Sequence, residues 1–104
     1  NLLKFAFHLD PNASDARPLT PGGTAGLPDF RIISTPAGRV FRCEFLRRKN
    51  SGLIYTPETT TNLQTFTPFT AVPAVTSIDA DWERVILDEP ATGERMFGRV
   101  RVQQ

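Results

Sequence analysis

The stretch that decides the fold is residues 39–48, which read Arg-Val-Phe-Arg-Cys-Glu-Phe-Leu-Arg-Arg. Phe41, Cys43 and Phe45 occupy alternate positions, and charged residues stand between them. Side chains alternate between the two faces of a β-strand, so this pattern predicts a strand with one buried face and one polar face.

The same kind of segment recurs along the rest of the chain. Turn-forming Gly, Pro, Asn and Asp residues separate the segments, and a loop is predicted over 88–93. Pro57 interrupts one segment, which predicts a sheet edge or a bulge there. Six or seven short strands at this spacing predict an all-β fold, a small immunoglobulin-like β-sandwich over residues 29–104. The other strand candidates are 30–33, 53–56, 82–87 and 96–102.

Residues 1–28 form a leader that is helical or extended over 1–9 and has the composition of a linker over 10–28. The first part is apolar nearly all round, and leaving large apolar side chains in water is costly. We expect the leader to pack away from its own strand core and to act as an assembly interface between molecules. Packing on its own sandwich is the alternative. The interface candidates are Leu2, Leu3, Phe5, Phe7 and Leu9.

Composition narrows the possible partners. The formal net charge is +1 and 22% of the residues are charged, which argues against nucleic-acid binding. No apolar run approaches the ~20 residues of a membrane-spanning helix. The sequence begins at Asn1 without a signal peptide, so we interpret it as a mature or excised piece of a longer protein.

No catalytic, metal-binding or cofactor-binding constellation stands out. Cys43 is the only cysteine and is predicted to be a buried core residue, and the single histidine, His8, has no partner ligand nearby. The acidic residues between 79 and 89 are explained by turns, although a loop calcium site or a glycosidase carboxylate pair is an alternative. Tyr55 and Trp82 are either core residues or a stacking platform for a glycan.

Several spaced elements carry a resemblance to a known family. Paired arginines at 47–48 precede Gly-Leu-Ile-Tyr-Thr-Pro-Glu-Thr-Thr at 52–60 and Asn-Leu-Gln-Thr-Phe at 62–66. Together with 82–87 and 97–102, they resemble a β module at the C-termini of large secreted proteins of Verrucomicrobia and Planctomycetes. The resemblance covers residues 38–103 and implies a secreted or surface-attached structural domain without a known activity.

The first residues carry a second resemblance. Residues 1–11, Asn-Leu-Leu-Lys-Phe-Ala-Phe-His-Leu-Asp-Pro, resemble the helix that closes a calcium-binding, Asp-rich repeat preceding such modules. The calcium ligands of that pattern lie upstream of Asn1, so no calcium site is carried over to this sequence.

These observations predict a non-enzymatic, extracellular structural module that mediates assembly or surface attachment. It is either a domain appended to a larger protein or the subunit of a surface filament held by its N-terminal segment. Its predicted partners are further copies of itself or upstream domains. The alternative is a carbohydrate-binding module of a secreted enzyme, with Tyr55 and Trp82 contacting the sugar.

Overall fold

The computed structural model describes residues 7, 19, 21–91 and 96–104, and these form two antiparallel sheets. Between residues 21 and 104 the described part of the chain contains no helix. The predicted all-β sandwich is therefore confirmed. Its strands are β1 (Asp29–Thr35), β2 (Gly38–Arg48), β3 (Ile54–Thr60), β4 (Thr67–Pro68), β5 (Ala74–Ser77), β6 (Trp82–Pro90) and β7 (Phe97–Gln103).

The order of the strands matches an immunoglobulin-like arrangement. The four-stranded sheet has the order β1-β2-β6-β5, which corresponds to A-B-E-D of an immunoglobulin domain. The three-stranded sheet has the order β4-β3-β7, in which β3 and β7 occupy the positions of C and F. In immunoglobulin domains strand G pairs with the other edge of F. No strand of the described residues occupies that position beside β7.

The pairing of β2 with β6 places the alternating residues of β2 in the core. Cys43 lies opposite Leu87 and Phe45 lies opposite Val85, and all four side chains are buried between the sheets. The predicted inward face of residues 39–48 is therefore confirmed. The intervening residue Glu44 faces outward, yet it is also buried.

Two groups of aromatic rings fill much of the space between the sheets. Phe41 stacks on Phe30 and on Phe69, with ring centroids 5.7 and 6.2 Å apart respectively. Tyr55 stacks on Phe45 at 5.7 Å and meets Phe7 edge to face at 5.8 Å. Such arrangements stabilise a core beyond the burial of apolar area alone.

Phe7, which belongs to the leader, lies inside the sandwich. Phe7 is only 1% exposed and packs with Cys43 and Phe45 in the main core cluster. Its carbonyl accepts a hydrogen bond from the Gly26 amide at 3.2 Å. For Phe7, the expectation that the leader packs away from its own strands is wrong, because this ring completes the apolar contacts around Tyr55. Leu2, Leu3, Phe5 and Leu9 lie outside the described residues.

Leu19 covers the opposite side of the four-stranded sheet. It is 2% exposed and packs with Leu46 and Trp82, which point away from the main core. The Leu19 amide donates to the Leu27 carbonyl at 2.7 Å. The leader thus contributes buried residues to both faces of this sheet.

Two local predictions differ from the structure. Residues 88–90 belong to β6 rather than to a loop, because β2 is long enough to pair with them, and Asp88 lies opposite Arg42. Pro57 marks neither a sheet edge nor a bulge, because β3 lies between β4 and β7 and its register with β7 runs unbroken through Pro57. It is tolerated because the Pro57 carbonyl accepts a hydrogen bond from the Phe69 amide at 3.1 Å, just beyond the end of β4. The side on which proline lacks an N–H therefore faces a loop and not a paired strand.

Candidate functional site

The outer face of β3 and β7 combines charged and exposed apolar side chains. The register places Glu58 opposite Arg99 and Thr56 opposite Arg101, and these side chains point away from the core. At the two ends of the same face, Ile54 is 57% exposed and Phe97 is 39% exposed. The outer face of a sandwich is ordinarily polar, so this mixture marks the face as a candidate interaction surface.

The charges at the centre of this face are unbalanced. The Glu58 carboxylate is buried, and its Oε1 accepts a hydrogen bond from Arg99 Nε at 2.7 Å. The Arg101 Nε lies 3.3 Å from the same oxygen. One carboxylate therefore faces two guanidinium groups, which we call the arginine pair. About half of each arginine side chain stays exposed, so one positive charge in excess is presented to solvent.

An aromatic ring holds one member of the arginine pair in place. The Arg99 guanidinium carbon lies 3.7 Å from the centroid of the Phe66 ring. A cation above an aromatic face is attracted by the ring quadrupole, and a planar guanidinium in this position keeps its edges free for hydrogen bonding. The Arg99 guanidinium is thus held between the Phe66 ring and the Glu58 carboxylate.

The edge of β7 lies next to this face. Among the described residues, β7 pairs with β3 and with no other strand, so the other edge of its seven residues has no strand partner there. An unpaired edge presents backbone donors and acceptors that another strand can use. Edge strands are often short or interrupted by proline, and β7 is neither.

Inward-facing apolar side chains are partly exposed on this side of the sandwich. Ile32 of β1 lies opposite the buried Phe41 and faces inward, yet it is 39% exposed. Val100 and Val102 of β7 are only partly buried against the core. We use the term seam for the side of the sandwich between β1 and β7, where Phe30, Ile32, Val100 and Val102 are only partly buried.

A second buried carboxylate has a structural role. Glu44 is 2% exposed and accepts a hydrogen bond from the Gly22 amide at 3.0 Å. Its oxygens also lie 3.0 Å from Arg31 Nη2 and 3.2 Å from Arg84 Nε. Arg84 additionally donates to the Gly23 carbonyl. This cluster fastens the end of the leader to the outer face of the four-stranded sheet.

The remaining acidic candidates are also engaged in local structure. Asp79 accepts hydrogen bonds from the amides of Asp81 and Trp82, as expected for a turn. Asp88 receives two hydrogen bonds from Arg42, and that guanidinium holds the pKa of the carboxyl below its usual value. Glu89 accepts from the amides of the β4–β5 loop. Within the described ranges, no group of three or more metal-ligating side chains is placed to hold an ion.

Tyr55 and Trp82 do not form an exposed platform. Trp82 is 4% exposed and packs with Leu19 and Leu46, with the Arg48 guanidinium 4.4 Å from its ring centroid. Tyr55 packs in the other core cluster, and burial raises the pKa of its hydroxyl. Because the two rings lie in separate clusters and are largely covered, they cannot stack together on one sugar chain.

Cys43 is fully buried, as predicted. Burial raises the pKa of its thiol, because the charged thiolate is disfavoured in an apolar environment. A nucleophilic cysteine requires the opposite shift and access to solvent. The residue therefore serves as a small core side chain.

The alternation of arginine and valine over residues 99–102 predicts only that Arg99 and Arg101 face solvent. The signal that identifies them is the pairing of Arg99 and Arg101 with a strand that offers a single acidic residue, Glu58. Seeing that signal requires the register between β3 and β7, which the sequence does not contain.

Within the described part of the chain, no helix is both long and apolar enough to cross a bilayer. In comparisons with known proteins, the chain matches no family model, no curated protein and no solved structure.

Proposed function

We propose that this chain is a non-catalytic extracellular structural module, secreted or at the cell surface, that mediates assembly or attachment. In this proposal it accepts an extended segment of a partner at the free edge of β7. Strand addition supplies affinity through main-chain hydrogen bonds and specificity through alternate side chains. The secreted location rests on the resemblance of residues 38–103 to modules of large secreted proteins.

One observation carries the proposal. Among the described residues, one edge of β7 has no strand partner, and on the same side the inward-facing Ile32 of β1 is 39% exposed. A sandwich with such an edge gains both ladder hydrogen bonds and apolar burial when a strand is added. The polar side chains elsewhere support a structural role as well, because they tie strands and loops together.

The proposal includes the subunit of a surface filament, in which a second copy supplies the added strand. Head-to-tail contacts of this kind build open filaments when they do not close into a ring. The leader is a less suitable donor than sequence reasoning suggested, because Phe7 already fills the core of its own sandwich.

The test uses a charge placed inside the seam. Ile32→Lys puts an inward-pointing cation on this side of the sandwich, a device that natural edge strands use against strand addition. Val72→Lys places the same charge in the β4–β5 loop, where Val72 is 90% exposed, and serves as the control. Sedimentation velocity and electron microscopy of the full chain are compared over rising concentrations.

We expect the full chain and Val72→Lys to self-associate and Ile32→Lys to remain monomeric with an unchanged circular dichroism spectrum. Equal self-association of the two lysine variants would contradict the role of the β7 side. A full chain that stays monomeric at every concentration would remove the filament-subunit form of the proposal.

A further inference from the structure

We infer that the segment accepted by β7 is an extended peptide in which carboxylate side chains alternate with apolar ones. This inference rests on the proposed function and adds the chemistry of the partner. Its basis is that the two faces of the added strand meet different surfaces of the module. One face meets the arginine pair, and the other meets the seam.

The backbone edge requires the partner to be extended. The edge that no described strand covers runs along the seven residues of β7, from Phe97 to Gln103. A ladder of this length is continuous, because β7 contains no proline and pairs with β3 residue by residue from Ile54 to Thr60. A partner segment of similar length can therefore pair along the whole edge.

The outer face requires the partner to be acidic. Arg99 and Arg101 lie two positions apart on one face of β7, and on an added strand the same-face residues recur with the same period. Glu58 neutralises only one of the two guanidinium groups. Carboxylates at alternate positions of the partner would lie beside the arginine pair, whereas cations there would be repelled.

The inner face requires the other residues of the partner to be apolar. A side chain that points inward from the position of strand G enters the seam next to Ile32, Val100 and Val102, which are incompletely covered. Glycine at position 98 leaves room for the Phe30 ring against the backbone of β7. The inward side chains of a partner would thus contact the apolar side chains of the seam.

The experiment measures binding of three synthetic peptides to the full chain by fluorescence anisotropy. Each peptide has seven residues, the length of β7. In the first, glutamate alternates with valine. In the second, lysine replaces each glutamate. The third has the sequence of the first, with a methyl group on every backbone amide nitrogen, which removes the N–H donors of both edges and keeps the side chains.

The protein variant that tests the arginine pair must keep its fold. Removing only the arginines would leave the buried Glu58 carboxylate without its partners, so we use E58Q/R99Q/R101Q, which neutralises the whole cluster with amides. The conservative variant R99K/R101K keeps the charges and loses the planar fork geometry. Thermal unfolding of both variants shows whether each remains folded.

We expect the glutamate peptide to bind, the lysine peptide to bind about tenfold more weakly or not at all, and the methylated peptide not to bind. We expect about tenfold because one exposed ion pair changes an affinity by a few-fold, and the glutamate peptide can form one pair with each of the two arginines. E58Q/R99Q/R101Q should lose the preference for glutamate over lysine, and R99K/R101K should retain most of it.

The outcomes separate the two proposals. If the lysine peptide binds as tightly as the glutamate peptide, the acidic partner is wrong and strand addition stands. If the methylated peptide binds as tightly as the unmodified one, charge attracts the peptide without strand pairing, and the inference is overturned. If none of the peptides binds, both the inferred partner and strand addition at β7 fail.

Discussion

The ring of Phe30, on β1, packs directly against the backbone of Gly98, on β7. A Cβ atom added at Gly98 would overlap three atoms of that ring. This contact joins the edge strands of the two sheets at one end of the seam. The glycine is therefore required by close approach of a side chain.

Gly98→Ala should destabilise the fold by about 1–3 kcal/mol, the usual cost of overpacking a filled site. Urea denaturation followed by tryptophan fluorescence measures the change in the free energy of unfolding. In the background of Phe30→Leu, which removes the ring, the same alanine should cost clearly less. Equal costs in the two backgrounds would show that the Phe30 ring does not limit this position.

Phe7→Ala should lower the free energy of unfolding by about 3–5 kcal/mol, because it removes a buried ring and leaves a cavity beside Tyr55. Deleting residues 1–10 should lower the melting temperature for the same reason. Val72→Ala is the control, since Val72 is 90% exposed and should have little effect.

Deletion of residues 1–10 can also show that the leader acts between molecules. If the truncated chain keeps its melting temperature and loses self-association, the leader acts between molecules and the Phe7 contact contributes little to folding. Differential scanning calorimetry and sedimentation of the same samples distinguish the two cases.

Glu44→Ala should be among the most destabilising polar substitutions, at about 3–5 kcal/mol, because it leaves the guanidinium groups of Arg31 and Arg84 without their shared buried carboxylate. Glu44→Gln should cost less, since the amide oxygen can still accept from the Gly22 amide. The measurement is chemical denaturation at neutral pH.

Glu83→Gln provides the matched control for this prediction. Glu83 pairs with Arg47 near the surface, and exposed pairs contribute at most about 1 kcal/mol. If Glu44→Gln and Glu83→Gln lower the free energy of unfolding by similar amounts, burial of the Glu44 carboxylate does not make its ion pairs more stabilising than a surface pair.

Cys43 should resist labelling by a thiol reagent in the native protein and react fully in denaturant. The reason is twofold: the side chain has no exposed surface, and burial raises the pKa of its thiol, so the reactive thiolate is scarce. Cys43→Ser should cost about 1–3 kcal/mol through an added buried hydroxyl. Rapid labelling without denaturant would show that the sandwich opens at β2.

Much of the local structure follows from patterns that lie within a few residues of each other. The alternation of Phe41, Cys43 and Phe45 predicts β2 and its buried face, and the same reasoning finds the other long strands within a few residues of their ends. Turn residues predict where the chain reverses. These features depend on backbone geometry and burial, which a local sequence pattern records directly.

Other features depend on which segments meet, and these only the tertiary structure decides. Tyr55 and Trp82 have similar local signals, yet each fills a different cluster, because side-chain burial depends on what packs opposite. The excess charge of the arginine pair arises from the register that sets Arg99 and Arg101 against the single carboxylate of Glu58. The placement of Phe7 in the core beside Cys43 and Tyr55 likewise results from contacts between residues far apart in sequence. Such contacts are selected by the packing of the whole sandwich, so no short stretch of sequence specifies them.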